Sequence, residues 1–473
     1  MYQEKITKIY GPPGTGKTTR LIALLQECIS KDIKPNDIGF FSFTNFSTKV
    51  AKNKVVEKFP EYDLKKDFSG FRTLHSLAYN ALPNKLNILT PEQAQAFDPS
   101  FRTEPVMLEE DDPNSLVYRA KQIVVDAAAV ARSRLESFEE YLEGLNADGR
   151  YRLNRWLGYA AKACDRGFNP HDIERLVDYV KRYESYKNEL GVIDYTAILE
   201  LAIDLEDSLP EYEVVFIDEA QDLSKLQWKL AEKLFGRAGK IYLAGDDDQA
   251  ICESFGADPE YFVNISSGEE VVLETSYRVP LNVHKKLFAE RGVVERLSAL
   301  FTRKEKVWKP KGGETGIFAD IGYGALSSLV KKYPAKNWLV MAATHQVLQS
   351  FSSLLAREKI PHLLSNQFVG EQRDDFFPSI VLSTVWGAKG GEADIAVLLH
   401  GDYVNDIMLK QDPRLIYVAY TRTQNMFFRV NVNVWYDIKS VEVIEPFIQE
   451  LKDKKTERQK VDMKSVDNNL LSD

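Results

Sequence analysis

Two short stretches hold the residues with the clearest chemistry. Gly11–Thr18 reads GPPGTGKT, a loop of the form G-x-x-x-x-G-K-[ST]. Glycines let successive backbone N–H groups turn inward around an anion, the lysine reaches the outer phosphate oxygens, and the hydroxyl after it ligates magnesium. The spacing assigns Gly11, Pro12, Pro13, Gly14, Thr15 and Gly16 to a phosphate cradle, Lys17 to the β- and γ-phosphates and Thr18 to the metal, with Thr19 beside them. The second stretch, VVFIDEAQD at residues 214–222, is an apolar run ending in Asp218 and Glu219. A carboxylate at a strand end holds magnesium directly or through water, and an adjacent one polarises the attacking water. A glycine-rich turn or an acidic turn is commonplace alone. Together they read as a nucleoside-triphosphatase, with Lys17 and Glu219 catalytic and Thr18 and Asp218 on the metal.

Such residues need parallel strands beneath them. Residues 5–10 (KITKIY) predict a strand running into the glycine loop, Thr18–Ile29 a helix with apolar residues three and four apart, and Ile38–Phe43 a second, buried strand. Val214–Ile217 and Lys240–Ala244 end in acidic clusters, as central parallel strands with a site at their carboxyl ends do. From about Leu82 to Leu190 the pattern is mostly helical. Ala120–Leu142 predicts one long amphipathic helix. Asn169-Pro170 predicts an N-cap with proline at the first helical position, opening a helix over His171–Leu190. A second α/β alternation follows, with strands expected at Val271–Leu273, Trp338–Met341, Ile380–Thr384 and Ile395–Leu399, and the last ~20 residues read as a disordered tail. The class is α/β, with two P-loop-type domains in tandem and the first split by a helical insertion. The expected bounds are 1–81 with 191–270 for the first domain, 82–190 for the insertion, 271–450 for the second domain and 451–473 for the tail.

Bulk properties restrict the rest. A chain of 473 residues predicts two to four domains, and no apolar run reaches the length of a membrane span. The first ten residues lead straight into the loop, which leaves no room for a signal peptide. Cys28, Cys164 and Cys252 lie far apart and the six histidines are scattered, so reduced thiols in a cytoplasmic protein are expected, with no zinc site. The net charge of −9 is not that of a sequence-independent nucleic-acid coat, although a motor needs only a local basic and aromatic track.

Further motifs, in order, give the chain a likeness. FTNFSTK (Phe43–Lys49), TLHS (Thr73–Ser76), YESYKNELGVIDYTAIL (Tyr183–Leu199), DEAQD (Asp218–Asp222), GDDDQAI (Gly245–Ile251), LETSYR (Leu273–Arg278), TVWGAKGGE (Thr384–Glu392) and YVAYTRT (Tyr417–Thr423) follow one another with characteristic spacing. This series resembles the UvrD/PcrA/Rep-type helicases of superfamily 1, from Gly11 to about Thr423. The resemblance implies two RecA-like domains (1A and 2A) closing on ATP and Mg2+, the 1B insertion, and stepping along single-stranded DNA and at single-/double-strand junctions, 3′ to 5′. It implies that Gln221 and Gln249 sense the γ-phosphate, that Arg278 and Arg422 are arginine fingers, that Glu392 meets the ribose and that Tyr277 packs by the adenine. Guanidinium groups suit the charge that spreads over a γ-phosphoryl group in transfer. By the same likeness, Phe43, Thr44, Asn45, Thr73 and His75 meet DNA on the first domain, and Thr384 and Trp386 on the second.

The sequence departs from the pattern in four places. Relatives carry an adenine-reading glutamine element upstream of the loop, and with only ten residues before Gly11 that element is expected to be missing here. Where relatives read SIYxWRGA, residues 250–257 read AICESFGA, so Phe255 either takes over the stacking position or joins the core. Trp386 replaces a histidine and is either a stacking surface or buried packing. About 100 residues separate Arg278 from Thr384, which implies that the large 2B insertion is absent or vestigial. Three functions stay open: a DNA translocase and helicase, a DNA-stimulated ATPase that remodels protein–DNA complexes with little unwinding, and a nucleotide-gated binding subunit with weak hydrolysis.

Overall fold

A computed structural model describes residues 2–42, 45–83, 86–98, 113–147, 173–205, 208–313, 315–333, 337–365 and 379–434. They form two compact units. One takes the chain up to Tyr10 and from Lys17 to Val272; the other takes Gly11–Gly16 and the residues from Leu273 on.

The first unit contains β1 (Ile6–Tyr10), α1 (Lys17–Ile29), β2 (Ile38–Ser42), α2 (Asn45–Lys58), β3 (Phe71–Arg72), α3 (Leu74–Ala81), β4 (Asn87–Ile88), α4 (Pro91–Phe97), α5 (Pro113–Ser133), α6 (Phe138–Ala147), α7 (Ile173–Leu190), β5 (Val192–Ile193), α8 (Tyr195–Asp204), β6 (Val214–Asp218), α9 (Lys225–Arg237), β7 (Lys240–Gly245), α10 (Pro259–Asn264) and β8 (Glu269–Val272). Six of these strands make one parallel sheet in the order β3-β2-β6-β7-β1-β8. Every residue of β2 and β6 is buried, which is why both read as unbroken apolar runs. Phe216 stacks between Phe40 and Tyr242 on neighbouring strands, and the main core gathers Leu74, Ile198, Ile217, Trp228 and Leu243. The helical residues hold a smaller core of their own, formed by Val124, Leu142, Leu176, Tyr179 and Tyr183.

Two expectations are corrected here. Ala120–Leu142 is not one helix: α5 stops at Ser133, Leu135 takes a left-handed φ of 59°, and α6 starts afresh at Phe138. The cause is a reciprocal cap. Glu140 N–H donates to Ser137 Oγ at 3.1 Å, and the Glu140 carboxylate accepts from Ser137 N–H at 2.8 Å. The strand expected at Val271–Leu273 belongs to the first sheet rather than the second. It pairs with β1 from Thr7↔Glu269 to Tyr10↔Val272, and the buried Lys8 ammonium reaches Glu270 at 2.6 Å. The Asn169-Pro170 cap lies outside the described residues.

The second unit contains α11 (Leu281–Leu287), α12 (Val293–Leu300), β9 (Ile317–Gly322), α13 (Tyr323–Lys332), β10 (Trp338–Ala342), α14 (His345–Arg357), β11 (Leu363–Ser365), β12 (Ile380–Thr384), β13 (Ala393–His400), α15 (Tyr403–Gln411), α16 (Pro413–Tyr420) and β14 (Thr423–Asn431). Its sheet is also parallel, in the order β11-β12-β10-β13-β14-β9. The three strands expected here at Trp338, Ile380 and Ile395 are present at its centre; β9, β11 and β14 were not anticipated. The tail 451–473 lies outside the described residues. Among the described residues no helix is long and apolar enough to cross a membrane.

Candidate nucleotide and nucleic-acid site

β1 delivers the chain to the glycine loop, and α1 begins at Lys17, so the loop empties into a helix N-terminus where partial positive charge favours an anion. Gly14 and Gly16 adopt φ of 72° and 83°, conformations that side chains rarely take. The Thr15 hydroxyl donates to the Pro12 carbonyl at 2.7 Å and closes the turn. Thr18 Oγ1 donates to Asp218 Oδ2 at 2.7 Å, joining the first turn of α1 to the end of β6. Asp218 is fully buried. Burial and then the neighbouring Glu219 charge push its carboxyl up to about 7, against the Thr18 hydroxyl, the Lys17 charge and the Glu219 N–H. A hydroxyl and a carboxylate side by side are hard oxygen donors that fit magnesium, and a cation there would offset the charge that burial penalises.

Glu219 follows with φ 56° and ψ 44°, a left-handed conformation in a residue other than glycine. Its carboxylate is held from behind. Gln221, buried, donates through Nε2 to Glu219 Oε2 at 2.8 Å and to Asp222 Oδ2 at 3.1 Å, while its oxygen accepts from Asp246 N–H at 2.9 Å. Asp246 in turn accepts from Gln249 Nε2 at 2.6 Å. A continuous hydrogen-bonded relay thus runs from Glu219 at the end of β6 to Gln249 beyond β7. Each polar group along it is partnered, as buried polar groups must be.

In the second unit, Ser276 Oγ donates to the Pro13 carbonyl at 2.7 Å, and Tyr277 N–H donates to the Gly14 carbonyl at 2.8 Å. A Cβ on Gly14 would meet Arg278 Cβ at 2.4 Å. The Tyr277 ring is 74% exposed. Arg278 Nε is 2.6 Å from Glu392 Oε2, and the other Glu392 oxygen accepts from Gln424 Nε2 at 2.7 Å, so two expected nucleotide-binding residues are paired with one another. Arg422 is 1% exposed, and its guanidinium donates to the carbonyls of Val418 and Gly391 and to the Thr421 hydroxyl.

The expected nucleic-acid contacts divide three ways. Phe43, Thr44 and the side chain of Asn45 lie outside the described residues. Thr73 caps α3, accepting from Ser76 N–H at 3.2 Å, and burial lowers the pKa of the His75 ring, which meets Tyr195 edge-on at 6.4 Å. In the second unit, Thr384 is buried and accepts from Gly387 N–H, while Trp386 is half-buried. Phe255 is 65% exposed and does not join the core. Sequence reasoning missed Tyr195, also 65% exposed, and missed Ser276 and Gln424. For Tyr195 a signal existed: an aromatic directly after an Asp N-cap, at the start of a helix whose apolar positions lie elsewhere.

A glycine loop at the end of one parallel strand, a hydroxyl–carboxylate pair and an acidic strand end beside it define the P-loop nucleotide-binding class. The sequence profile of the UvrD/REP helicase N-terminal domain matches residues 2–268, more than half of the chain, and the protein belongs to that family. It is similar to DNA helicase II of Haemophilus influenzae (24% identity over 294 residues, 57% of this chain and 36% of that protein). A probable DNA helicase II homolog of Mycoplasma capricolum aligns over 390 residues at 23% identity, 76% of this chain and 50% of that protein. ATP-dependent DNA helicase PcrA of Staphylococcus epidermidis aligns over 299 residues at 23%, covering 57% and 36%. The chain therefore spans from about a third to half of the length of these curated relatives.

Proposed function

We propose that the protein is an ATP-dependent translocase on single-stranded DNA and a DNA helicase with 3′–5′ polarity. The observation that carries this reading is the hydrogen-bonded relay from Thr18 and Asp218 through Glu219, Gln221 and Asp246 to Gln249, which lies six residues before exposed Phe255 in the chain. It ties the residues assigned to metal and water to the segment after β7 that leads on to Phe255. In this reading Gly11–Gly16 cradle the phosphates, Lys17 neutralises the outer ones, and Thr18 and Asp218 hold magnesium, which when bound neutralises charge developing on the phosphates. Glu219 accepts the proton of the attacking water, oriented by Gln221. Arg278 and Arg422 stabilise the transferring phosphoryl group, Glu392 and Tyr277 meet ribose and base, and Thr19 completes the first helical turn. His75, Tyr195, Phe255 and Trp386 offer π-faces to bases of any identity, with Phe43, Thr44, Asn45, Thr73 and Thr384 on the strand's backbone. The domain division is that of 1A, 1B and 2A.

A second reading, a DNA-stimulated ATPase that displaces proteins and unwinds little, is favoured by one feature. Between Arg278 and Thr384 the described elements outside the second α/β layer are only the short helices α11 and α12. One experiment separates the readings: ATPase and strand displacement measured together on 3′-tailed, 5′-tailed and blunt DNA. The helicase reading expects DNA-stimulated turnover and displacement from 3′ tails. Stimulated turnover without displacement supports the remodeller. An ATPase rate unchanged by any nucleic acid sinks both and leaves the weakly hydrolysing binding subunit.

A further inference from the structure

We propose that the carboxyl end of α5 positions the DNA track: Arg132 fixes the start of α8, which presents Tyr195, and Ser133 braces the turn that presents Phe255. The proposal rests on the reading of those two aromatics as base-stacking platforms. Arg132 Nη1 donates to Asp194 Oδ2 at 2.8 Å, Nε donates to Glu200 Oε1 at 3.0 Å, and Nη2 donates to the second Glu200 oxygen. Asp194 is the N-cap of α8, its Oδ1 accepting from Ala197 N–H at 2.8 Å, and Tyr195 is the next residue. The cap that sets the direction of the first turn is thus itself held by a planar guanidinium, which fixes orientation in a way an ammonium does not. Buried Lys187 grips the same Asp194 carboxylate from α7 and also reaches Glu184.

The neighbouring residue acts on the other platform. Ser133 Oγ donates to the Val130 carbonyl at 2.8 Å, which locks its rotamer. A Cβ on Gly256 would lie 2.2 Å from that oxygen and 3.3 Å from Ser133 Cβ. Gly256, at φ 95°, ends the turn Glu253–Phe255 and donates its N–H to the Glu253 carbonyl. α5 therefore abuts the back of that turn at the one position where only glycine fits. Two consecutive residues of the helical insertion meet two segments far apart in the chain, each carrying an aromatic that is 65% exposed. An exposed ring has little packing to fix it, so the backbone beneath must. α5 itself carries no residue assigned to the nucleotide.

The test uses the full chain and titrates oligo(dT) into the steady-state ATPase of Arg132→Met, Glu200→Gln and Gly256→Ala, beside Tyr195→Ala and Phe255→Ala. In all five, the half-saturating oligo(dT) concentration should rise by about fivefold or more, the loss of roughly one base stack. In the three α5-contact variants the DNA-free rate and the KM for ATP should stay within about twofold of wild type, a split that a general loss of fold would not produce. The proposal is overturned if the two platform variants lose DNA affinity while Arg132→Met, Glu200→Gln and Gly256→Ala keep it. If Tyr195→Ala and Phe255→Ala are themselves without effect, the platform reading is wrong and the proposal goes with it. Should Arg132→Met not fold, the other two α5-contact variants decide.

Discussion

Replacing Asp194 by asparagine would remove the negative charge that Arg132 and Lys187 share and keep the cap, because the amide oxygen still accepts from Ala197 N–H. The magnitude follows from the ionisation of the wild-type residue. Burial alone would raise it, but the Arg132 and Lys187 charges outweigh burial and hold the carboxyl at about 2, against an ordinary 3.8. A depressed folded value means that the folded state favours the carboxylate. Its stabilisation is complete above about pH 4 and fades as pH falls towards 2. A shift of nearly two units corresponds to ~2.5 kcal/mol at neutral pH, of which about half remains at pH 3. The two units need not unfold together, so a single melting midpoint is a poor readout. Amide hydrogen exchange in α8 reads the local opening directly. At pH 6 the α8 protection factors of Asp194→Asn should fall by about fiftyfold, and the gap should narrow to about tenfold at pH 3. Equal protection at pH 6, or a gap that does not shrink with acid, would refute the ion-cluster account.

Other outcomes bear on the site. Lys17→Ala should abolish ATP hydrolysis while circular dichroism stays that of wild type; robust turnover would sink the phosphate-site assignment. Glu219→Gln should still bind a fluorescent ATP analogue but lose DNA-stimulated turnover, because an amide cannot take the water's proton; normal hydrolysis would mean that another residue activates the water. Asp218→Asn should be inactive yet more stable than wild type at pH 8 without nucleotide. The wild-type carboxyl, pushed up to about 7, loses stability as pH rises from about 4 to 7, a slope that hydrogen-exchange protection of β6 should lack in the variant. Gly14→Ala, forced into a φ of 72° with its methyl 2.4 Å from Arg278 Cβ, should weaken nucleotide binding by about tenfold or more in equilibrium titrations.

The parts of this molecule legible in its sequence are those whose chemistry is local. The glycine loop, the strand ends at Asp218 and Gly245 and the buried strands β2, β6, β10, β12 and β13 all announce themselves within a few residues. Properties set by distant partners did not. Val271 and Val272 say strand, but only pairing with Thr7–Tyr10 decides which sheet receives them. The periodicity of Ala120–Leu142 continues through a break because both halves face one core, and only the Ser137–Glu140 cap marks the stop. The YVAYTRT motif marks Arg422, but its burial and its donors' partners, oxygens supplied by α16 and the loop before β13, are set in part by residues distant in the chain. β14 was overlooked because Gln424, Asn425 and Arg429 interrupt a strand whose burial comes from β9 on one side and β13 on the other.

The backbone at Glu219 sets folding and chemistry against each other. A left-handed residue with a side chain costs ~1–2 kcal/mol, which glycine would relieve at once. Glycine there would abolish the group proposed to activate water. A library in which every substitution at this codon is scored twice, once for cellular abundance and once for turnover, should therefore rank glycine near the top of one column and at the bottom of the other. Selection at this position would trade thermostability for a carboxylate held at a fixed angle.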